Sequence, residues 1–307
     1  MKRRDFIAKS FGAGIAAGAG FTLLSLEEAF GSSVSNSYAP YDLVAVMGGE
    51  HEIMFEKGIA ALGGMKNFVK TGQTVVVKPN IGWDRPPELG SNTHPGLVGR
   101  IVQECLAAGA KDVFVFDKTC DNWQKAYATS GIEKAAKDAG AKVITGDSES
   151  NYKEVSIPKG KSLKNAKVHE KIIECDVFIN VPVLKHHDGA KISLAMKNLM
   201  GIVWDRRYWH NNDLQQCIAD MASYRKPDLN IIDGYRVLKR NGPKGRSVED
   251  VSLEKTQIIS TDIVAADAAA ARIFGSEPET IAHIKIANEM GFGVMDLSKL
   301  NINRIRI

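Results

Sequence analysis

The sequence predicts an α/β protein with a mainly parallel or mixed sheet, covered by helices on both faces. Three observations predict it. Short runs such as TVVVKPN (74–80) and CDVFINVPVL (175–184) alternate with longer helical patterns. The runs are apolar at consecutive positions, as in strands buried on both faces, and do not alternate as half-exposed strands do. Glycine or proline marks several joins between them.

In chain order, the N-terminus reads as an address. MKRRDFIAKS places Arg3 and Arg4 ahead of Phe6, Ile7 and Lys9, and the uncharged FGAGIAAGAGFTLLSL follows. The pattern resembles a twin-arginine export signal. The uncharged stretch is too short and glycine-rich for a membrane span of about 20 apolar residues. Small residues around Ala29-Phe30-Gly31 suit cleavage; a retained anchor is the competing reading. The expected organisation is a signal peptide over 1–31, a linker over 32–41 (it includes SSVSNSYAP) and one α/β domain over 42–307. A division into two lobes near 150–168, around the charged KEVSIPKGKSLKNAK, is the alternative. The signal implies the twin-arginine machinery as a partner, export of a folded chain, a periplasmic or other extracytoplasmic location, and no stable membrane span after cleavage.

In the domain, strands are expected at 42–48, 74–80 (broken by Pro79), 111–118, 142–145, 174–184, 227–234 and 255–261. Helices are expected at 51–64, closed by glycines, at 94–110, with Pro95 in its first turn, and at 131–141, 211–225, 262–275 and 278–291. Segment 190–201 could form a short helix without one clean apolar face.

Composition excludes some classes. The chain carries +4 at pH 7; residues 1–31 hold four bases and three acids, so +3 remains after cleavage. That balance does not suggest nucleic-acid binding. Cys105, Cys120, Cys175 and Cys217 form no C-x-x-C, which argues against an iron–sulfur cluster. Cys105 and Cys217 read as core, whereas Cys120 sits in a polar loop. His51, His169 and His283 read as structural. No phosphate-binding loop, nucleophile elbow, H-E-x-x-H or dinucleotide fingerprint is present.

In open α/β sheets, ligands bind beyond the carboxyl ends of the strands. Four polar clusters fall at such ends: Lys78-Pro79-Asn80, Asp117 to Cys120, Lys185-His186-His187 and Asp233-Gly234. The stretch NVPVLKHHDGAKISLAMKNLMG (180–201) concentrates lysines and histidines. Such residues suit an anion clamp, a covalent tether or a proton shuttle; a solvated basic loop is the competing reading. His94 precedes a helix whose free N–H groups could face an anion. WDRRYWHNND (204–213) could be a lid that stacks on a flat ligand, with His210 as ligand or base, or a loop whose aromatics pack down. KRNGPKGR (239–246) could close over an anion or be a flexible loop.

With these residues assembled, the chain resembles the domain of unknown function 362 family over roughly 42–305. VVVKPN, NTHPGLVGRIVQECLAAGAKDVFVFD, CDVFINVPVLKHHDGAKISLAMKNLMG, PDLNIIDG and IISTDIVAADAAAARIFG carry the resemblance. Segment 187–201 is also similar to part of the nickel-pincer lactate racemase family, where a His precedes by ten residues a Lys that tethers a nickel-pincer nucleotide. The likeness implies His187 in proton and hydride chemistry and Lys197 as the tether. Asp117 to Asp121 holds no histidine where the racemases place a second catalytic one, and His210 is the nearest candidate for the nickel-ligating His.

The expectation is an exported, enzyme-like protein that binds a small anionic ligand, with a metal or nucleotide-like cofactor as a candidate and redox or proton-transfer chemistry. His187 and Lys197 are the expected centre. Lys78, Asn80, His94, Lys185, His186 and Asp233 are expected anion contacts, and His210 a metal ligand. A non-catalytic periplasmic carrier of an anion or metal complex is the alternative.

Overall fold

The computed structural model describes residues 41–307, so the twin-arginine segment and all but the last residue of the linker lie outside the described residues. β1 (Leu43–Met47) leads to α1 (His51–Ala61), and β2 (Thr74–Pro79) to α2 (Pro95–Ala107). β3 (Asp112–Val115) runs through α3 (Trp123–Thr129) and α4 (Ile132–Asp138) to the short β4 (Lys142–Val143). A hairpin of β5 (Tyr152–Ser156) and β6 (Asn165–His169) precedes α5 (Glu170–Glu174). Then come β7 (Val177–Val181), β8 (Val183–His187), β9 (Lys191–Ser193), α6 (Ala195–Asn198), α7 (Arg207–Asn211) and α8 (Leu214–Ala222). β10 (Leu229–Leu238), β11 (Val251–Ser260), α9 (Ile263–Phe274), α10 (Ala282–Glu289) and β12 (Ile302–Arg306) complete the chain.

The main sheet is mixed and mostly parallel, in the order β12-β1-β11-β10-β7-β2-β3-β4, with β8 paired to β10 and β9. From β10 to β4 every neighbour is parallel; β11 is antiparallel to both β1 and β10. Alternation along the strands sends side chains to two cores. Val75, Val77, Val177 and Ile179 pack with α1, α2 and α4, whereas Val76 and Phe178 pack with α8, α9 and α10. The β5–β6 hairpin forms a separate antiparallel sheet, and its Ala166 and Val168 join the second of these cores.

Two local expectations change in ways that matter for function. Pro79 does not break its strand: it is the last residue of β2 and pairs with Val181. The predicted strand 174–184 is two strands. After Val181 the chain leaves β2 but keeps β10 as a neighbour: Ile179 and Asn180 of β7 pair with Leu229 and Asn230, and beyond Pro182 Val183 pairs with Asp233 and Lys185 with Leu238. β8 then turns back through β9, so His186 and His187 lie on a hairpin rather than in a loop, and residues 195–198 alone form α-helix in the 190–201 segment.

Candidate functional site

A cleft opens where the carboxyl ends of β2, β3 and β7 meet β8 and α6. Its lining includes Lys78, Lys185, Lys197 and Arg206 as cations and a single carboxylate, Asp117. The mouth continues outward past Trp83, Cys120, Pro243, Arg207 and His210.

The floor is a buried polar network. Lys78 is fully buried, with Nζ 2.8 Å from Asp117 Oδ1 and donating to Asn198 Oδ1 at 2.7 Å. Burial pushes the Lys78 pKa down, and the Asp117 charge opposes that shift. Asp117 is held in turn: Oδ2 accepts Ile81 N–H at 2.7 Å, and the Tyr127 hydroxyl bridges its backbone. Asn198 donates to Asn180 Oδ1 at 2.8 Å, and Asn180 donates to Ala195 O and to Asn230 Oδ1. This chain of amides ties β2, β7, β10 and α6 together below the cleft. Asp267 fixes α6 from the other side, accepting Ala195 N–H at 2.6 Å and Met196 N–H at 3.0 Å.

Three groups face the opening. Lys185 is buried and donates to Asn80 Oδ1 at 2.8 Å and to Ser91 O. Burial, with Lys197 and Lys78 nearby, pushes its pKa down to about 7. Lys197 makes one hydrogen bond, a weak one, to Met200 Sδ at 2.9 Å. Burial first, and then the charges of Arg206 and Lys78, lower its pKa to about 8. His187 Nδ1 accepts the backbone N–H groups of Gly189 (3.1 Å) and Ala190 (3.2 Å). A nitrogen that accepts carries no proton, so the neutral ring holds its proton on Nε2 and presents a donor. Burial and the surrounding cations lower its pKa to about 2, which keeps the ring neutral. Arg206 is clamped over the cleft by the carbonyls of Lys118 (2.8 Å) and Thr119 (2.6 Å).

Over residues 75–272 the sequence matches the family described as Domain of unknown function (DUF362). The chain belongs to that family. A thylakoid-associated protein of Synechocystis sp. is 28% identical to this DUF362 chain over 238 residues, 75% of the chain and 72% of that relative. The lactate racemase apoprotein from Thermoanaerobacterium thermosaccharolyticum is similar in structure at a TM-score of 0.42 with 13% identity over 80% of the chain, and the chain spans 56% of that protein's length. That likeness carries no activity.

The structure brings Lys78, Asn80, Lys185, His187 and Lys197 into one cleft, with His210 at its mouth, where its ring lies 6.5 Å from that of His187. Three expected contacts lie elsewhere. His94 stacks on His51 with ring centroids 3.6 Å apart, its backbone N–H donates to Asp233 Oδ2, and His51 stacks on Tyr235. This separate cluster uses His94 and Asp233 to join α1, α2 and β10. His186 Nδ1 accepts Gly242 N–H at 3.2 Å and anchors the 239–246 loop. A Cβ at Gly242 would lie 2.0 Å from His186 O, so that approach requires glycine.

The loop does not supply cations to the cleft: Lys244 pairs with Asp121, Arg240 with Asp250 and Lys239 with Glu254, leaving Pro243 on the lining. The aromatics of 204–213 also turn away from the cleft. Trp209 is buried in the core, Trp204 takes Lys118 Nζ at 3.6 Å from its ring, and Tyr208 donates to Ser162 O.

The donors do not suit a resident metal. Among the described residues no three His, Cys, Asp or Glu converge as ligands. His187 keeps its proton on the nitrogen a metal would need, the reverse of a ligating His, whose remote nitrogen donates. Asp117 and Cys120 come from one of the four polar clusters without having been singled out as contacts, and Asn198, Arg206 and Gly201 line the cleft without having been among the expected site residues. Gly201 carried the signal: it ends the quoted motif, and a Cβ there would lie 1.8 Å from Asp117 Oδ1 and 2.5 Å from Lys78 Nζ.

Proposed function

We propose that this DUF362 chain is an enzyme that binds a small organic anion in the cleft and acts on it by proton transfer or amine chemistry. One observation supports the reading above the others: four cations and one carboxylate line the same largely buried cleft, and that carboxylate already neutralises Lys78. The remaining positive charge has no protein counter-ion on the lining, and in a site of reduced dielectric it favours an anionic guest. Lys197 supplies an amine with only a thioether partner, and His187 supplies a neutral N–H donor. A carrier would need the charge but would gain nothing from an amine whose pKa burial and neighbouring cations bring down to about 8.

Calorimetric titration with oxalate, sulfate and phosphate tests the reading. Binding by wild type and a loss of tenfold or more in Arg206→Ala, at unchanged melting temperature, is the expected result. Equal affinity in the two proteins, or no binding in either, overturns it.

The same proposal places the protein outside the cytoplasm by the twin-arginine route, on the strength of Arg3, Arg4 and the uncharged stretch after them. Among the described residues no helix is long and apolar enough to cross a membrane. Fractionation of wild type and of a double Arg3→Lys, Arg4→Lys variant tests the route: loss of the extracytoplasmic pool supports it, and an unchanged distribution overturns it.

A further inference from the structure

The geometry points to a carbonyl acid, a small 2-oxo carboxylate, as the substrate class, captured as an imine on Lys197 Nζ with His187 Nε2–H donating to the carbonyl oxygen. This deepens the proposed function and rests on it. Three independent features of the cleft call for the three parts of such a molecule.

The first feature is the amine. Among the described residues Lys197 has no carboxylate or carbonyl partner, and Met200 Sδ is too weak an acceptor to hold a proton on it. The other lysines differ. Lys78 is committed to Asp117 and Asn198, and Lys185 to Asn80 and Ser91. Desolvation and neighbouring cations, which together enlarge the neutral fraction of Lys197, are the conditions that make an amine a nucleophile toward carbonyls.

The second feature is the donor. Because two backbone N–H groups occupy His187 Nδ1, the ring has no free lone pair with which to act as a base. It can stabilise negative charge developing on an oxygen, as neutral imidazole does when it serves as an electrophile. The third feature is the fixed charge. Arg206, clamped by two carbonyls, remains to hold a carboxylate.

The step balances without an oxidant or a metal. The Lys197 nitrogen lone pair forms a C–N bond as the carbonyl π pair moves to oxygen, which His187 Nε2–H hydrogen-bonds. The nitrogen loses one proton and the oxygen gains one, giving a neutral carbinolamine. A second proton leaves nitrogen, the C–O bond breaks and one water departs, leaving the imine. The net change is amine plus ketone to imine plus water.

The test uses pyruvate with cyanoborohydride at neutral pH on the full protein, read by peptide mass spectrometry. Methyl pyruvate serves as the uncharged control, and the exposed Lys134 as the internal reference. The inference expects pyruvate to label Lys197 about tenfold or more faster than Lys134, and Arg206→Ala to bring Lys197 down to the reference rate. Labelling of Lys197 no faster than Lys134, or equally fast with methyl pyruvate relative to the reference, overturns it. Oxalate binding is measured on the same sample. Binding without selective labelling overturns this inference and leaves the anion-binding reading standing, whereas absence of both overturns both.

Discussion

At the scale of single residues, Gly201 shows how tightly the floor is built. Any side chain there meets the Lys78–Asp117 pair, neither member of which can move into solvent. Gly201→Ala should cost about 1–3 kcal/mol from overpacking alone. A urea midpoint equal to wild type would show that the floor yields. His51 carries a second residue-scale prediction. Burial lowers its pKa from the ordinary value to about 4. Between an unfolded pKa near 6.5 and the folded value near 4, the unfolded chain binds the extra proton, so stability falls as pH drops through that window and is complete above it. The loss amounts to about 3 kcal/mol at the acid end. His51→Phe, which keeps a ring between His94 and Tyr235, should flatten that part of the urea-midpoint profile; an unchanged slope would assign the acid sensitivity elsewhere. The sequence announced Lys185, His187 and Lys197 because they cluster within 180–201. It could not announce that His94 and Asp233 serve each other, since residues so far apart meet only because the fold brings the N-terminus of α2 to β10.

At the scale of elements, the segment carrying α7 decides how the mouth of the cleft is shaped. Buried Trp209 anchors it in the core, while Arg206 and His210 beside that anchor reach the cleft and its mouth. Trp209→Ala should cost about 3–5 kcal/mol of stability through the cavity it leaves. It should also weaken oxalate binding in the fraction that stays folded, because Arg206 loses its support. Full affinity in a folded variant would show that the two carbonyl contacts of Arg206 suffice. Strong apolar runs such as 74–79 and 227–234 were legible as strands. The division at Pro182 was not, because the apolar run continues through it and only the loss of β2 as a partner, with β10 retained, divides it. The β5–β6 hairpin hid in a charged stretch for a related reason: outward positions of an exposed hairpin are lysine and glutamate, and only Ala166, Val168 and a few neighbours turn inward.

At the scale of the whole molecule, topology creates the site. β10, β7, β2 and β3 run parallel, so the residues that follow or end them arrive at one rim, and the antiparallel β11 and the β8–β9 hairpin bound that rim on one side. The alternation of strands and helices was enough to place the rim. It was not enough to say which of the four polar clusters would share a cleft, since that depends on strand order, and β10 stands beside β7 with its Asp233 turned toward α2. The net charge of the chain is small, and the positive charge that matters is concentrated locally by this convergence.

The most direct measurement is therefore the position of an anion in a crystal of the full domain grown with selenate, located by anomalous scattering. The account predicts a selenium peak within contact distance of Lys185, Lys197 and Arg206, and its disappearance in Arg206→Ala. Selenate bound only outside the cleft, or a peak that Arg206→Ala leaves in place, would contradict it.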